Sequence, residues 1–195
     1  MPIGINGSGT ITGISVGGLP DGIVDTDMIA AKAATKPKLG NGAILQCLQT
    51  VKSDQFTVSA NASNFFDITG LSVDITMTAA SNKVLVLFTT TWTGVSGQRG
   101  SFRVRRGSTD IGVGDTRGSR TRAFFGSIQT SSNNQCLPVA GQFLDTPGTG
   151  THTYKLQVGG ESGVGTLTVN SNQSDGDSGD KFVGISTITV LEVAA

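Results

Sequence analysis

From residue 43 to the C-terminus, apolar and polar residues alternate in short runs that are separated by turn-forming residues. In "STITVLEV" at 186–193, Ile188 and Val190 share one parity and threonines share the other. A period of two is typical of a β-strand that buries one face. Turn signals such as "AASN" at 79–82 recur near the ten-residue interval of a sandwich or barrel. The pattern therefore predicts an all-β domain over 43–195.

We expect a series of antiparallel strands in this domain, with a turn between each strand and the next. The "TGL" segment at 69–71 is expected to end one strand before the next begins, because glycine interrupts extended backbone. The predicted strands span 44–51, 56–59, 65–68, 72–77, 83–92, 101–106, 110–113, 122–129, 137–143, 151–158, 166–170 and 186–193.

Residues 1–42 differ from the rest of the chain and form a separate N-terminal region. The stretch 1–24 carries seven glycines, which is too many for a helix, and it has too few large side chains for a core of its own. Its apolar side chains still exceed what a solvated linker needs, so we expect an extended arm that docks on a partner. The anchoring side chains would be Ile3, Ile5, Ile11, Ile14, Val16 and Leu19.

One short helix is predicted after the arm, from 27 to 34. Asp25 or Thr26 can cap its N-terminus, alanines fill its interior, and Pro37 follows shortly after it. So short a helix is not stable alone in water, so it too is expected to lean on a partner.

The strand predicted at 83–92, "KVLVLFTTTW", is apolar on both faces over its first half. Val84 and Val86 lie on one face, whereas Leu85 and Leu87 lie on the other. A strand of an antiparallel sandwich usually leaves one face to water. Either a loop or a neighbouring subunit is therefore expected to cover the second face, and the arm and helix favour the subunit. We expect a homo-oligomer.

The overall composition narrows the classes of function. The formal net charge is zero and 14% of residues are charged, so the overall balance does not favour nucleic acid or an anionic membrane. No apolar run approaches 18 residues, which argues against membrane insertion. Cys47 and Cys136 lie far apart without a CxxC motif, and we expect them to be buried free thiols.

Residues that could carry catalysis or bind a metal are few. His152 has no Ser, Cys or acid motif beside it and is interpreted as a strand-end residue. Asp175, Asp177 and Asp180 in "DGDSGD" are weak metal candidates, because Asp180 stands where an EF-hand loop requires glycine. We expect no metal, no cofactor and no enzyme. A carboxylate-dependent glycan-processing enzyme stays open as an outsider.

All seven arginines lie between 99 and 122, in "RGSFRVRRGSTDIGVGDTRGSRTR". Alternation on the predicted strands places arginines on the face opposite Phe102 and Val104. One interpretation is ion pairing within or between subunits, and a second is an exposed patch for acidic glycans or lipopolysaccharide. Nucleic acid is disfavoured, because the neighbouring phenylalanines are interpreted as core rather than as stacking platforms. The candidate patch comprises Arg103, Arg105, Arg106, Arg117, Arg120 and Arg122.

Several long phrases carry a resemblance to a known family. They are "GTITGISVGGLPDGIVDTDMIAAKAATKPKLGNGAILQCLQTVKSDQF", "FFDITGLSVDITMTAASNKVLVLFTTTW", "RRGSTDIGVGDTRGSRTRAFFG", "FLDTPGTGTHTYKLQV" and "STITVLEV". Together they resemble the tail-fibre-like structural proteins of marine bacteriophages and cyanophages over nearly the whole chain. The long shafts or repeats common in that family are absent from this sequence.

The resemblance implies a trimeric virion protein with a C-terminal antiparallel jelly-roll-like β-sandwich, similar to C1q and tumour-necrosis-factor knobs. We therefore predict a bacteriophage virion structural protein, a short trimeric fibre or spike. Residues 1–42 would anchor it to other virion proteins, and the head at 43–195 would attach to the host surface, with a surface glycan as a candidate ligand. The alternative is a capsid decoration, or cement, protein that stabilises the head shell. No nucleic-acid partner is expected.

Overall fold

The computed structural model describes residues 39–61, 64–161, 165–174 and 176–195, together with the backbone of two short N-terminal strands. The chain divides into two compact units, Met1–Gly40 and Asn41–Ala195. In the first unit β1 (Gly4–Ile5) pairs antiparallel with β2 (Ile11–Thr12). The predicted helix at 27–34 and the rest of the predicted arm lie outside the described residues.

The second unit is built from strands alone within its described part. They are β3 (Ile44–Lys52), β4 (Phe56–Ala60), β5 (Phe65–Thr76), β6 (Lys83–Gly94), β7 (Arg99–Arg106), β8 (Thr109–Ile111), β9 (Phe125–Gln129), β10 (Leu137–Asp145), β11 (Thr151–Gly160), β12 (Gly165–Val169) and β13 (Ser186–Val193).

The strands pair into two antiparallel sheets that form a sandwich. In the first sheet β10, β6, β13 and β3 lie side by side, and β12 and β4 extend it beside the far end of β6. In the second sheet β5, β11 and β7 lie side by side, and β8 and β9 both pair with the free edge of β7. The eight principal strands are β3, β5, β6, β7, β8, β10, β11 and β13. When they are numbered from one to eight in chain order, the first sheet has the order 1-8-3-6 and the second has the order 2-7-4-5, which is the connectivity of a jelly roll. The predicted jelly-roll-like β-sandwich is confirmed.

The core lies between the inward faces of the two sheets. Trp92 is fully buried, with its ring 5.9 Å from that of Phe102, and Phe88 packs edge-on against Phe124 at 5.4 Å. A Cβ at Gly100 would lie 2.7 Å from the Trp92 ring, so this position accepts only glycine without a shift. The aromatic side chains thus fix how closely the strands approach.

The two ends of this unit meet at one end of the sandwich. The Gly42 amide donates to the Ala194 carbonyl at 2.8 Å, and the Ala194 amide donates to the Ala43 carbonyl at 2.9 Å. Because β3 and β13 are neighbours, the chain enters and leaves the sandwich side by side.

Two predicted strand boundaries differ from the structure by more than two residues. The "TGL" segment does not separate two strands, because β5 runs continuously and accommodates Gly70 at a φ of 83° where its pairing with β11 shifts register. The strand predicted from Arg122 begins only at Phe125. Residues 112–124 form an irregular segment, in which Gly112 and Gly118 have φ values of 60° and 57°.

Both cysteines are free, as expected, but their predicted burial is wrong for Cys47. Its side chain is exposed, because Cys47 points outward from β3, and Cys136 is half-buried. No helix in the described part of the chain has the length and apolar character to cross a membrane.

Candidate functional site

The outer face of the first sheet carries a row of apolar side chains across four strands. Leu85 of β6 lies opposite Leu144 of β10 on one side and opposite Leu191 of β13 on the other, and Leu191 lies opposite Cys47 of β3. Leu144 is 47% exposed, and Leu85 and Leu191 are half-buried, so no described loop fully covers this row. We call this outer surface of β10, β6, β13 and β3 the apolar face.

Around that row the apolar face is nearly uncharged. Its polar side chains bond to one another, as in the Thr89–Thr187 hydroxyl contact at 2.9 Å and the Gln49 amide donating to Thr189 at 2.8 Å. A shallow depression of about 400 Å³ lies between β6 and β10, lined by Leu87 and Gln142 among others. Burying such a surface costs little, because few polar groups lose water without a partner.

The outer face of the second sheet is instead charged, and its charges form one network across four strands. Asp67 of β5 accepts from Lys155 and Gln157 of β11, each at 2.5 Å. Gln157 accepts from Nε of Arg103 on β7 at 2.7 Å, and Arg103 Nη1 donates to Asp110 of β8 at 2.7 Å. We call this surface the charged face.

The contacts of this network are all made between residues of one chain. Asp110 also forms an ion pair with Arg105 at 2.9 Å, so two guanidinium groups share one carboxylate. Burial raises the pKa of Asp67, but the hydrogen bonds from Lys155 and Gln157 outweigh it and leave the pKa below its usual value. Arg103 is further held by Phe65, whose ring centroid lies 4.1 Å from the guanidinium carbon.

Arg106 points the other way and joins the two sheets. Its Nη1 lies 2.6 Å from Asp145 of β10, and the buried Tyr154 hydroxyl donates to the same carboxylate oxygen at 2.7 Å. Burial, followed by the contact with Asp145, raises the pKa of Tyr154 far above its usual value. The aspartates that pair with Arg103, Arg105 and Arg106 therefore belong to the same chain.

The other arginines of the predicted patch lie on the irregular segment 112–124. Arg122 Nε donates to the Gly114 carbonyl at 2.6 Å, which ties the segment to itself. Arg117 and Arg120 are exposed, and neither guanidinium has a hydrogen-bond or ion-pair partner among the described residues. Pairing of these arginines across a subunit boundary stays a prediction.

Two adjoining hollows lie where this segment meets the charged face. One, of about 270 Å³, is lined by polar and charged side chains that include Arg103, Asp110 and Arg122. The other, of about 480 Å³, is lined in part by Ser127 and Glu161. Both share one wall, which consists of Ser119, Arg120 and Thr121. We call the two hollows together the arginine cleft.

The Glu161 side of the cleft is held in a fixed shape. The Ser127 amide donates to Glu161 at 2.7 Å, and the hydroxyls of Ser127 and Ser101 donate to the same carboxylate. Burial raises the pKa of Glu161, but these hydrogen bonds outweigh it and lower the pKa below its usual value. Ser127 sits at a φ of 57°, an unusual conformation that these bonds hold in place.

A third charged group, missed at the sequence level, lies buried near the ends of the unit. Glu192 of β13 is fully buried, and it accepts hydrogen bonds from Asn82 and from the amide and hydroxyl of Thr78, at 2.7 to 2.8 Å. Gln46 donates to its other oxygen at 2.6 Å. The signal in the sequence was its parity, since Glu192 shares the inward face with Ile188 and Val190.

Among the residues that the structure describes, the other candidates that the sequence singled out lie outside any described site. No group of three metal-ligating side chains occurs among the residues that the structure describes, and Asp175 lies outside them. Asp180 is exposed and pairs with Lys181 at 3.4 Å. His152 is half-buried, with Nε2 3.1 Å from the Thr149 carbonyl. Of the arm residues only the backbones of Ile5 and Ile11 are described, and they pair with each other.

No family model matches this chain, and no curated protein matches it. Solved structures do resemble it. They include infectious bursal disease virus, Gx strain (12% identity, TM-score 0.38, 78% of this chain and 37% of that chain). The VP2 subviral particle of the same virus has 12% identity and a TM-score of 0.40, with coverage of 77% and 38%. The Gt strain has 13% identity and a TM-score of 0.40, with the same coverage. The chain thus spans under two fifths of the length of these similar proteins.

Proposed function

We propose that this chain is a bacteriophage virion structural protein whose sandwich assembles into a homotrimeric head, the short trimeric fibre or spike expected from the sequence. The apolar face carries the proposal. It is a four-strand surface whose central row consists of three leucines and Cys47; the edge residue Leu144 is 47% exposed, and such a surface in water indicates a protein contact. The trimer, the virion and the bacteriophage source rest on the family resemblance.

The contrast between the two sheets supports one orientation of the head. If copies meet through the apolar face, the charged face and the arginine cleft point outward. Residues 41–43 enter at the end of the sandwich where β13 leaves it, so an arm would connect there. An exposed arginine cleft has no use in a shell-stabilising contact, so we favour attachment to a host surface over the alternative, capsid decoration. We assign no catalytic role.

The experiment is the mass of the full chain in solution, measured by multi-angle light scattering at micromolar concentration. We expect three times the chain mass of 19.9 kDa. Leu85→Asp places a charge in the middle of the leucine row and is expected to give monomers. Leu144→Asp, at the more exposed edge, is a second variant in case the first fails to fold.

Ser72→Asp is the matched control, because Ser72 is exposed on the charged face opposite Lys155. It adds the same charge without touching the apolar face, so it is expected to keep the wild-type mass. A wild-type chain that stays monomeric under these conditions would contradict the proposal, and so would Ser72→Asp dissociating the assembly as fully as Leu85→Asp.

A further inference from the structure

We infer that the arginine cleft binds an anionic saccharide, with Arg120 as the residue that holds the acidic group. This inference rests on the proposed function, because it names the surface ligand that the head would attach to. Arg120 lines both hollows and lies midway along the cleft. A guanidinium in such a place can bind a carboxylate or sulfate with two parallel hydrogen bonds.

The carboxylates around the cleft are already engaged by other groups. Asp110 is shared by Arg103 and Arg105, and Glu161 accepts from Ser101 and Ser127. Neither carboxylate is within ion-pair distance of Arg120 in the described part of the chain. The positive charge of Arg120 is therefore available to a ligand.

The walls of the cleft are organised before any ligand arrives. Arg103 is fixed on three sides by Gln157, Asp110 and the ring of Phe65. Ser127 is held at its left-handed φ by Glu161. A ligand therefore has to order few side chains, which reduces the entropic cost of binding.

The lining chemistry favours a saccharide over a nucleic acid. Ser119 supplies a hydroxyl group beside the guanidinium, and the Ser127 hydroxyl oxygen, whose proton goes to Glu161, can still accept a hydrogen bond from a sugar hydroxyl. Among the described residues that line the cleft, Phe65 is the one aromatic residue, and it has Arg103 over its ring, so it offers no open platform for a base. The anionic group can be a uronate carboxylate or a sulfate ester, because both accept two hydrogen bonds from arginine.

The test is isothermal titration calorimetry of the full chain with four probes. They are an alginate-derived hexauronate, a sulfated dextran oligosaccharide, neutral maltohexaose and a single-stranded oligonucleotide of matched charge. We expect one of the two anionic saccharides to bind and to identify the group, and we expect maltohexaose not to bind. Arg120→Ala is expected to weaken that binding at least tenfold. Arg120→Lys keeps the charge but loses the two parallel hydrogen bonds, so its affinity should lie between those of the wild type and Arg120→Ala.

Arg117→Ala is the matched control, since it removes the same charge from the same segment but Arg117 lines neither hollow. Its effect should stay below threefold. The inference is overturned if neither anionic saccharide binds, if Arg117→Ala weakens binding as much as Arg120→Ala, or if the oligonucleotide binds more tightly. Light scattering on the same samples separates the two proposals, because a trimer that binds no saccharide refutes only the cleft, and a monomer that binds refutes only the assembly.

Discussion

Replacing the buried carboxylate of Glu192 by an amide should make the stability of this protein less sensitive to acid. Burial alone would raise the pKa of Glu192, but the hydrogen bonds from Asn82, Thr78 and Gln46 outweigh it and lower the pKa from 4.5 to about 2. A shift of this size corresponds to about 3 kcal/mol of stability. The group binds its proton more weakly when folded, so this stability is complete above pH 4.5 and is lost as the pH falls towards 2.

The variant Glu192→Gln keeps the shape of the side chain and removes both the charge and the titration. Its amide oxygen can still accept from Thr78 and Asn82, but its NH₂ group faces the NH₂ of Gln46. At pH 7 we expect it to be less stable than the wild type by about 3 kcal/mol. The free energies of unfolding of the two proteins should converge as the pH falls from 4.5 to 2, because protonated Glu192 resembles the amide.

The assay is equilibrium urea unfolding at equal protein concentrations between pH 7 and 2.5, followed by the fluorescence of the single, fully buried Trp92. Other carboxylates titrate in both proteins and cancel in the difference. Asp74→Asn, which changes an exposed residue of β5, is the control and should cost less than about 0.5 kcal/mol at pH 7. A difference for Glu192→Gln that stays constant down to pH 2.5 would refute the reasoning.

Two further predictions, one with a control variant, test the packing of the sandwich. Gly141→Ala should cost about 1 to 3 kcal/mol in thermal unfolding, because its Cβ would lie 2.6 Å from Phe88 and 2.7 Å from Phe124. Gly114→Ala is the control and should be nearly neutral, because there is open space around Gly114. Asp145→Asn should cost about 3 kcal/mol in urea unfolding, since it leaves Arg106 unpaired between the sheets. Equal melting temperatures for the two alanine variants, or an Asp145→Asn loss below about 1 kcal/mol, would contradict this account.

The alternation of the sequence was enough to predict the sandwich and most of its strands. The bounds of β13 were predicted as observed, because its alternation is uninterrupted and both neighbours continue it. The apolar second face of β6 predicted a surface that a loop or a neighbouring subunit covers, and Leu85 and Leu144 lie on that surface. Where prediction failed, at Gly70 within β5, pairing with β11 on both sides of Gly70 keeps the strand continuous across an irregularity in the register.

The sites depend on residues that are far apart in the chain, which limits what a single sequence can reveal. Glu192 and its partner Asn82 are 110 positions apart, and Arg106 and Asp145 are 39 positions apart. The sequence shows that the arginines cluster, but it does not show which of them form ion pairs within the chain. The register of β7 with β8 and β11 brings Arg103 to Asp110 and Gln157, whereas Arg120 lies outside these strands on the irregular segment.

The central claim, that copies of this chain meet through the apolar face, is tested most directly by the reactivity of Cys47. This thiol is exposed on β3 in the same row as Leu85 and Leu191. In a Cys136→Ser background it is the single thiol of the chain. Its rate of alkylation by iodoacetamide therefore reports whether the face is covered.

We predict that Cys47 in the assembled protein reacts at least tenfold more slowly than in the Leu85→Asp variant. A cysteine introduced at Ser72, in a chain that also lacks Cys47, should react at the same rate in both, because the charged face stays open. Equal rates for Cys47 in the two proteins, at concentrations where light scattering finds the wild type assembled, would contradict the claim.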